Sequence, residues 1–229
     1  MNQAPSPQAG ADIVVLFDVD DTLLDNDRVQ ADLNAHIAQE LGTGARDRYW
    51  EILEQLRDEL DYVDYLGALE RYRLERLHDP RVLALANWLI DYPFAERLYP
   101  QALETVAHAR RGARAVILSD GDAVFQPRKI ARAGLWNAVD GQVLIYVHKE
   151  EMLADIERLF PARRYVLVED KPRVVAAVKA GWGDRVVTVL VRQGHYANDP
   201  QSAARYPAPD LAIERIGELR RHDLGALAR

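Results

Sequence analysis

Ile13-Val14-Val15-Leu16-Phe17-Asp18-Val19-Asp20-Asp21-Thr22-Leu23 runs five apolar residues straight into a carboxylate-rich turn. An unbroken apolar run of this length, rather than an alternating one, is what a strand buried on both faces of a parallel sheet requires. Four more runs of this texture follow at residues 115–118, 143–147, 165–168 and 186–191. Helix-length segments at 123–133, 150–160 and 172–180 separate the later runs, and a last pair lies at 211–213 and 215–221. Strand and helix alternating in this rhythm predict an α/β fold built on a doubly wound parallel sheet. The pattern leaves the strand order open.

Residues 28–92 read differently. They hold no β-branched run, and their apolar residues (Leu53, Leu56, Leu60, Val63, Leu66) fall at helical spacing among dense charge and half of the tyrosines and tryptophans. Breaks at Gly42–Gly44, Asp79-Pro80 and Tyr92-Pro93 divide the stretch into about four helices inserted after the first strand. The expected organisation is a loose tail at 1–11, an α/β core at 12–27 and 93–229, and a helical insertion at 28–92.

Ligands of parallel α/β sheets bind beyond the carboxyl ends of the strands, so the residues after each run carry the chemistry. The first run ends in Asp18-Val19-Asp20-Asp21-Thr22, the second in Ser119-Asp120-Gly121-Asp122, the third in His148-Lys149 and the fourth in Glu169-Asp170-Lys171. Asp18 and Asp20 fall on one side of an extended chain. Carboxylates placed so close repel one another unless a counter-charge, most often a metal ion, lies between them. Taken singly, each of these stretches also reads as a polar turn or helix cap. Together they supply carboxylates, a hydroxyl and an ammonium, a division of labour suited to phosphoryl transfer: oxygen ligands for a hard cation, donors for phosphate oxygens and a carboxylate to attack.

Asp18-Val19-Asp20-Asp21-Thr22-Leu23 resembles the first motif of the haloacid dehalogenase-like superfamily, D-x-D-x-T/V-L/V. Ser119 resembles its second motif, Lys149 its third and Glu169-Asp170 its acidic fourth, in the family's order and spanning residues 18 to 170. The resemblance implies a Rossmann-like core, with residues 28–92 as an α-helical cap. It also implies a magnesium-dependent phosphatase that hydrolyses a small phosphomonoester through an aspartyl-phosphate. Asp18 is then the nucleophile and Asp20 the general acid and base; Lys149 neutralises charge on both Asp18 and the phosphate. Thr22 positions Asp20, and Ser119 binds the phosphoryl group with the Asp120 and Gly121 amides. Mg2+ is held by Asp18, the Asp20 carbonyl and Asp170. Many members carry a further acid four or five residues after the first acid of the fourth motif, where this chain has Val174 and Val175. The adjacent-acid variant fits instead, with Glu169 as the second acid.

Other activities of the family remain as alternatives. Its 2-haloacid dehalogenases need no acid for the leaving group and typically lack the residue that Asp20 matches. A phosphonatase needs a cap lysine, and none of the chain's four lysines (Lys129, Lys149, Lys171, Lys179) falls within 28–92. A phosphomutase shares every core residue with a phosphatase, and a non-catalytic scaffold on this fold is the reading from another class. His148, His195 and the cap residues Arg46, Arg48, Arg71 and Arg73 are candidate substrate contacts that read first as solvated surface.

Composition bounds these readings. With 229 residues, 48% hydrophobic and 28% charged, the chain is that of a globular protein with a substantial core. A net charge of -7 argues against nucleic acid or anionic membranes as partners, leaving a small phosphorylated metabolite. The absence of cysteine excludes disulfides, thiolate zinc sites and cysteine nucleophiles. No apolar stretch approaches the roughly twenty residues of a membrane span. Residues 1–11 lack the basic start and apolar run of a secretory signal, so a cytoplasmic location is expected. Oligomeric state is left open.

Overall fold

The computed structural model describes residues 11–227. Six strands form one all-parallel sheet: β1 (Ala11–Phe17), β2 (Arg114–Asp120), β3 (Val143–Tyr146), β4 (Ala162–Glu169), β5 (Val186–Val191) and β6 (Leu211–Ile213). Their order is β3-β2-β1-β4-β5-β6. The chain leaves β1 toward β2 and β3 on one side and reaches β4 on the other, so β1 lies at the point where the winding reverses, where ligands of such sheets bind. The tail expected at 1–11 lies outside the described residues except for Ala11, which opens β1 rather than ending a tail.

Continuous apolar runs arise because both sheet faces are covered. On β1, Val15 and Phe17 join Ile117, Val166 and Val189 in the core facing one layer, while Val14 and Leu16 join Val116, Leu118 and Leu167 in the core facing the other. The two-residue period thus sorts the strands between two apolar layers, and the inward positions of β1 from Val14 to Phe17 are fully desolvated. The core helices are α5 (Ala102–Ala109), α6 (Phe125–Arg132), α7 (Leu135–Ala138), α8 (Leu153–Leu159), α9 (Pro172–Trp182) and α10 (Gly194–Asn198).

Between β1 and α5 lie four helices, α1 (Asn26–Leu41), α2 (Thr43–Leu60), α3 (Tyr65–Leu74) and α4 (Pro80–Asp91). Helix α1 begins two residues before the insertion boundary set at 28, because Asp25 and Asp21 accept amides of its first turn. Asp79 caps α4 with Pro80 at its first position, and Gly42, at φ 90, separates α1 from α2. The insertion enters and leaves through a short two-stranded hinge: Asp25 N donates to Arg97 O at 2.8 Å and Tyr99 N to Leu23 O at 2.9 Å. Tyr49, Leu53, Leu69 and Leu85 of these helices are buried in the same apolar cluster as one face of the sheet. Among the described residues no helix is long and apolar enough to cross a membrane.

Candidate active site

The carboxyl ends of β1, β2 and β4 converge on Asp18. Its amide continues the β1–β4 ladder by donating to Val168 O at 3.0 Å, which fixes the residue at the strand end. Asp18 Oδ1 accepts from the fully buried Lys149 Nζ, while Oδ2 is buried with no hydrogen-bond partner. The Lys149 ammonium also pairs with Glu169 Oε2 at 2.7 Å. Glu169 Oε1 accepts the backbone amides of Asp170 and Lys171 at 3.2 and 3.1 Å. Glu169 therefore anchors the lysine and shapes the turn.

Asp170 is fully buried, and neither of its carboxylate oxygens has a partner. Burial, then the charges of Glu169 and Asp18, push its pKa well above the carboxylate range. Burial and Glu169 raise Asp18 to about 7 against the pull of Lys149 and Lys171. Burial would raise Glu169 too, but Lys149 and Lys171 outweigh it and hold this carboxyl below its ordinary value. Oxygens of Asp18, Glu169 and Asp170 lie within 4.8 Å of one another. The unpartnered oxygens of Asp18 and Asp170, buried this close together, fit a hard divalent cation. The Asp20 carbonyl takes part in none of the backbone hydrogen bonds that close the turn after β1, so it too is free to serve.

Asp20 has a different lysine. Lys129 of α6, 1% exposed, donates to Asp20 Oδ1 and Oδ2 at 2.8 and 2.9 Å and to Asn26 Oδ1 at 3.2 Å. The repulsion expected between Asp18 and Asp20 is thus answered by one ammonium for each carboxylate. Gln126, one turn before Lys129, bridges the two motifs, donating to Ser119 Oγ at 2.9 Å and to Asp20 Oδ2 at 3.2 Å. Neither Lys129 nor Gln126 had a site role in the sequence reading. The available signal was the scarcity of lysine: Lys129, Lys149 and Lys171 are three of only four, and all line or underlie one site.

Ser119 and Asp120 are the last residues of β2 rather than the residues following it. Asp120 Oδ1 accepts the Lys149 amide at 2.9 Å and so fixes the loop that carries this lysine. The Gly121 amide is not available for a phosphate, because it extends the β2–β3 ladder by donating to Tyr146 O at 2.9 Å. What Gly121 contributes is space. Its φ is 150, and a Cβ there would meet Gln126 Cβ at 2.8 Å, so glycine is what lets α6 approach. Thr22 is fully buried and its hydroxyl has no partner; the residue meets its surroundings through its carbonyl, which accepts from Gln193 Nε2 at 3.3 Å. It therefore makes no hydrogen bond to Asp20.

A cavity of about 620 Å³ lies between the sheet ends and the α1–α4 insertion, walled on the sheet side by Asp20, Asp120, Gly121, Gln126 and Lys129, with Asp18 and Asp170 buried beneath. Lys171 lines it, close enough for its charge to act on Asp18. His148 pairs with Asp61 of the insertion at 3.2 Å, and His195 lies 2.5 Å from Asp27. Arg46, Arg48, Arg71 and Arg73 pair with Asp47, Glu75, Glu59 and Glu70 and do not line this cavity. Tyr49 and Tyr72 belong to the apolar core, whereas Tyr62 and Tyr65 reach the cavity wall.

Residues 14–181 match the family model for haloacid dehalogenase-like hydrolases. No curated protein matches the sequence significantly. Among solved structures, a protein from Burkholderia xenovorans LB400 described as a haloacid dehalogenase-like hydrolase is 57% identical, with a TM-score of 0.88, over 93% of this chain and 99% of its own. The L-2-haloacid dehalogenase of Xanthobacter autotrophicus superposes with a TM-score of 0.61 at 20% identity, over 91% of this chain and 96% of its own. A Thermotoga maritima protein described as a β-phosphoglucomutase does so with a TM-score of 0.57 at 19% identity, over 91% and 96%. At such identities these two share the fold with this chain. The family match over most of its length and the 57% identical relative establish that the chain belongs to the haloacid dehalogenase-like hydrolases.

Proposed function

We propose that this hydrolase is a magnesium-dependent phosphatase acting on a small phosphomonoester. The observation that carries the reading is the state of Asp18: one oxygen is held by Lys149, and the other is free, buried and next to the unpartnered Asp170 carboxylate. A carboxylate so placed is a poised nucleophile, and an acid two residues on is what a poor alkoxide leaving group needs.

Asp18 Oδ2 attacks phosphorus, and its bond to phosphorus forms as the ester P–O bond breaks. Asp20 gives its proton to the departing oxygen. Water then attacks the aspartyl-phosphate, its proton returns to Asp20, and the bond from phosphorus to Asp18 breaks. Lys149 and Lys171 oppose the burial that raises Asp18 and offset charge on the phosphoryl oxygens. Ser119 Oγ accepts from Gln126 and donates to the Asp120 carbonyl at 3.3 Å, a long bond that it would exchange for one to a phosphoryl oxygen. Asp18, Asp170 and the Asp20 carbonyl would hold magnesium, whose charge would neutralise the gathered carboxylates and polarise the phosphoryl group. The α1–α4 insertion covers the cavity and limits water during the first step.

The test is phosphate release from an aryl phosphate and a panel of alkyl phosphomonoesters, with and without magnesium, beside a 2-haloacid control. Magnesium-dependent phosphate release supports the reading. Halide release from the haloacid, or no phosphate release from any ester, overturns it.

A further inference from the structure

The charges lining the cavity are mostly accounted for. Asp20 is held by Lys129, Asp61 by His148 and Glu150 by Arg173, and Asp122 caps the first turn of α6. Two cations stand apart, and both meet Tyr196 of α10. Lys171 Nζ lies over the Tyr196 ring, 5.4 Å from its centroid, and its ammonium has no hydrogen bond or ion pair among the described residues. Arg57 of α2 donates from one terminal nitrogen to Tyr196 Oη at 3.2 Å; its other terminal nitrogen has only Glu54, at 3.8 Å.

Tyr196 Oη accepts this bond, so its own hydrogen remains, and among the described residues it is donated to nothing. The cavity therefore presents three donor groups around one ring, two of them cationic, with no carboxylate in close contact on the cavity side. The charge of Lys171 already acts on Asp18, Glu169 and Asp170, but Arg57 and the Tyr196 hydroxyl keep donors toward the cavity that can give charge-assisted hydrogen bonds to an anion placed there. Arg57 belongs to the insertion, whereas Tyr196 and Lys171 belong to the sheet layer. An anion seated here would tie the two parts of the molecule together.

We propose that the leaving group of the substrate carries a second anion, a carboxylate or a further phosphate, which Arg57 and the Tyr196 hydroxyl receive while Lys171 lends charge from over the ring. This rests on the phosphatase reading, since it places the transferred phosphate at Asp18 and the second anion at the Arg57 end of the cavity.

The test uses matched esters: 3-phosphoglycerate against glycerol 3-phosphate for a carboxylate, and glucose 1,6-bisphosphate against glucose 6-phosphate for a second phosphate. Equilibrium affinities are measured on the non-hydrolysing Asp18→Asn chain with magnesium, alone and combined with Arg57→Gln or Tyr196→Phe. Phosphate release from all four esters is measured on the unaltered chain. In at least one pair the doubly anionic member should bind about tenfold tighter, and the pair that shows this identifies the anion. Arg57→Gln should abolish that preference while leaving the singly anionic member within about twofold, and Tyr196→Phe should reduce it. Equal affinity within both pairs, no measurable binding, or a preference that survives Arg57→Gln overturns the proposal. Phosphate release without a preference sinks the anion subsite alone, and a preference without phosphate release sinks the phosphatase reading alone.

Discussion

Lys129 holds both carboxylate oxygens of Asp20, at 2.8 and 2.9 Å, from a helix that begins beyond the neighbouring strand. The ammonium is buried while the Asp20 side chain is 24% exposed, so the pair reaches from the protein interior to the cavity. Lys129 therefore sets where the Asp20 carboxylate points when substrate arrives.

Replacing Lys129 with Met removes the charge and keeps an apolar side chain of similar length in the buried position. Asp20 is then free to rotate and its orientation toward the leaving oxygen is lost. We expect kcat on an alkyl phosphate to fall by about tenfold to a hundredfold, and the melting temperature to fall as well, because removing one partner of the pair leaves the Asp20 carboxylate without its counter-charge. Steady-state kinetics beside a thermal melt check this; unchanged kcat would remove Lys129 from the positioning of Asp20.

Asp18→Asn should abolish turnover of an aryl phosphate, by about a thousandfold or more, while circular dichroism shows an intact fold. Asn fits the same volume but cannot attack phosphorus as an anion. Retained magnesium-dependent activity would sink the nucleophile assignment.

Asp20→Asn should separate substrates by leaving group. Alkyl phosphates, whose alkoxide needs a proton, should slow by about a hundredfold or more. An activated aryl ester, whose leaving group departs unprotonated, should lose far less in its first step, read as the burst of phenol release. Equal losses for both classes would argue against a general acid at this position.

Asp18 and Asp21 are each raised to about 7, in both cases by burial first, with Glu169 next for Asp18 and Asp27 then Asp20 next for Asp21. The folded chain thus holds these protons more tightly than the unfolded chain, whose carboxyls titrate near 3.8. Stability from these groups is complete below the unfolded value and is lost as pH rises toward the folded one. The melting temperature of the metal-free protein should fall between about pH 5 and pH 8, and less steeply for Asp18→Asn. Magnesium requires the ionised carboxylates, so it should raise the melting temperature more at about pH 8 than at pH 5. A metal effect equal at both pH values would place the bound ion away from Asp18 and Asp170.

Much of the fold was legible because burial on two faces writes itself into a strand as an unbroken apolar run. The runs at 115–118 and 165–168 mark the cores of β2 and β4, and the 186–191 run is β5 to the residue. β2 and β4 extend further than their runs, through Arg114, Ser119 and Asp120 in one and through Ala162 to Arg164 and Glu169 in the other, while β3 stops at Tyr146, one residue short of its run. Hydrogen bonding, not hydrophobicity, sets those ends. The helical texture of 28–92 was equally plain, and Asp79-Pro80 and Gly42 fell where caps and breaks occur.

The site was legible only along the strands. Asp18, Lys149, Glu169 and Asp170 follow apolar runs directly, and the sheet brings them together because parallel strands all end on one side. Lys129 and Gln126 reach the same place from α6, and their arrival depends on how that helix crosses the site over Gly121, which no local pattern encodes.

The sequence by itself determined the layers, the position of the helical insertion and the row of carboxylates at the strand ends, since these follow from the two-residue and helical periods and from the order of motifs along the chain. Only the tertiary structure decided the strand order and which lysine answers which aspartate. It alone spent the Gly121 amide on a neighbouring strand and placed Arg57 and Lys171 against one tyrosine. Those outcomes turn on contacts between residues far apart in the chain, Phe17 with Val168 and Arg57 with Tyr196, and such contacts exist only once the elements have packed.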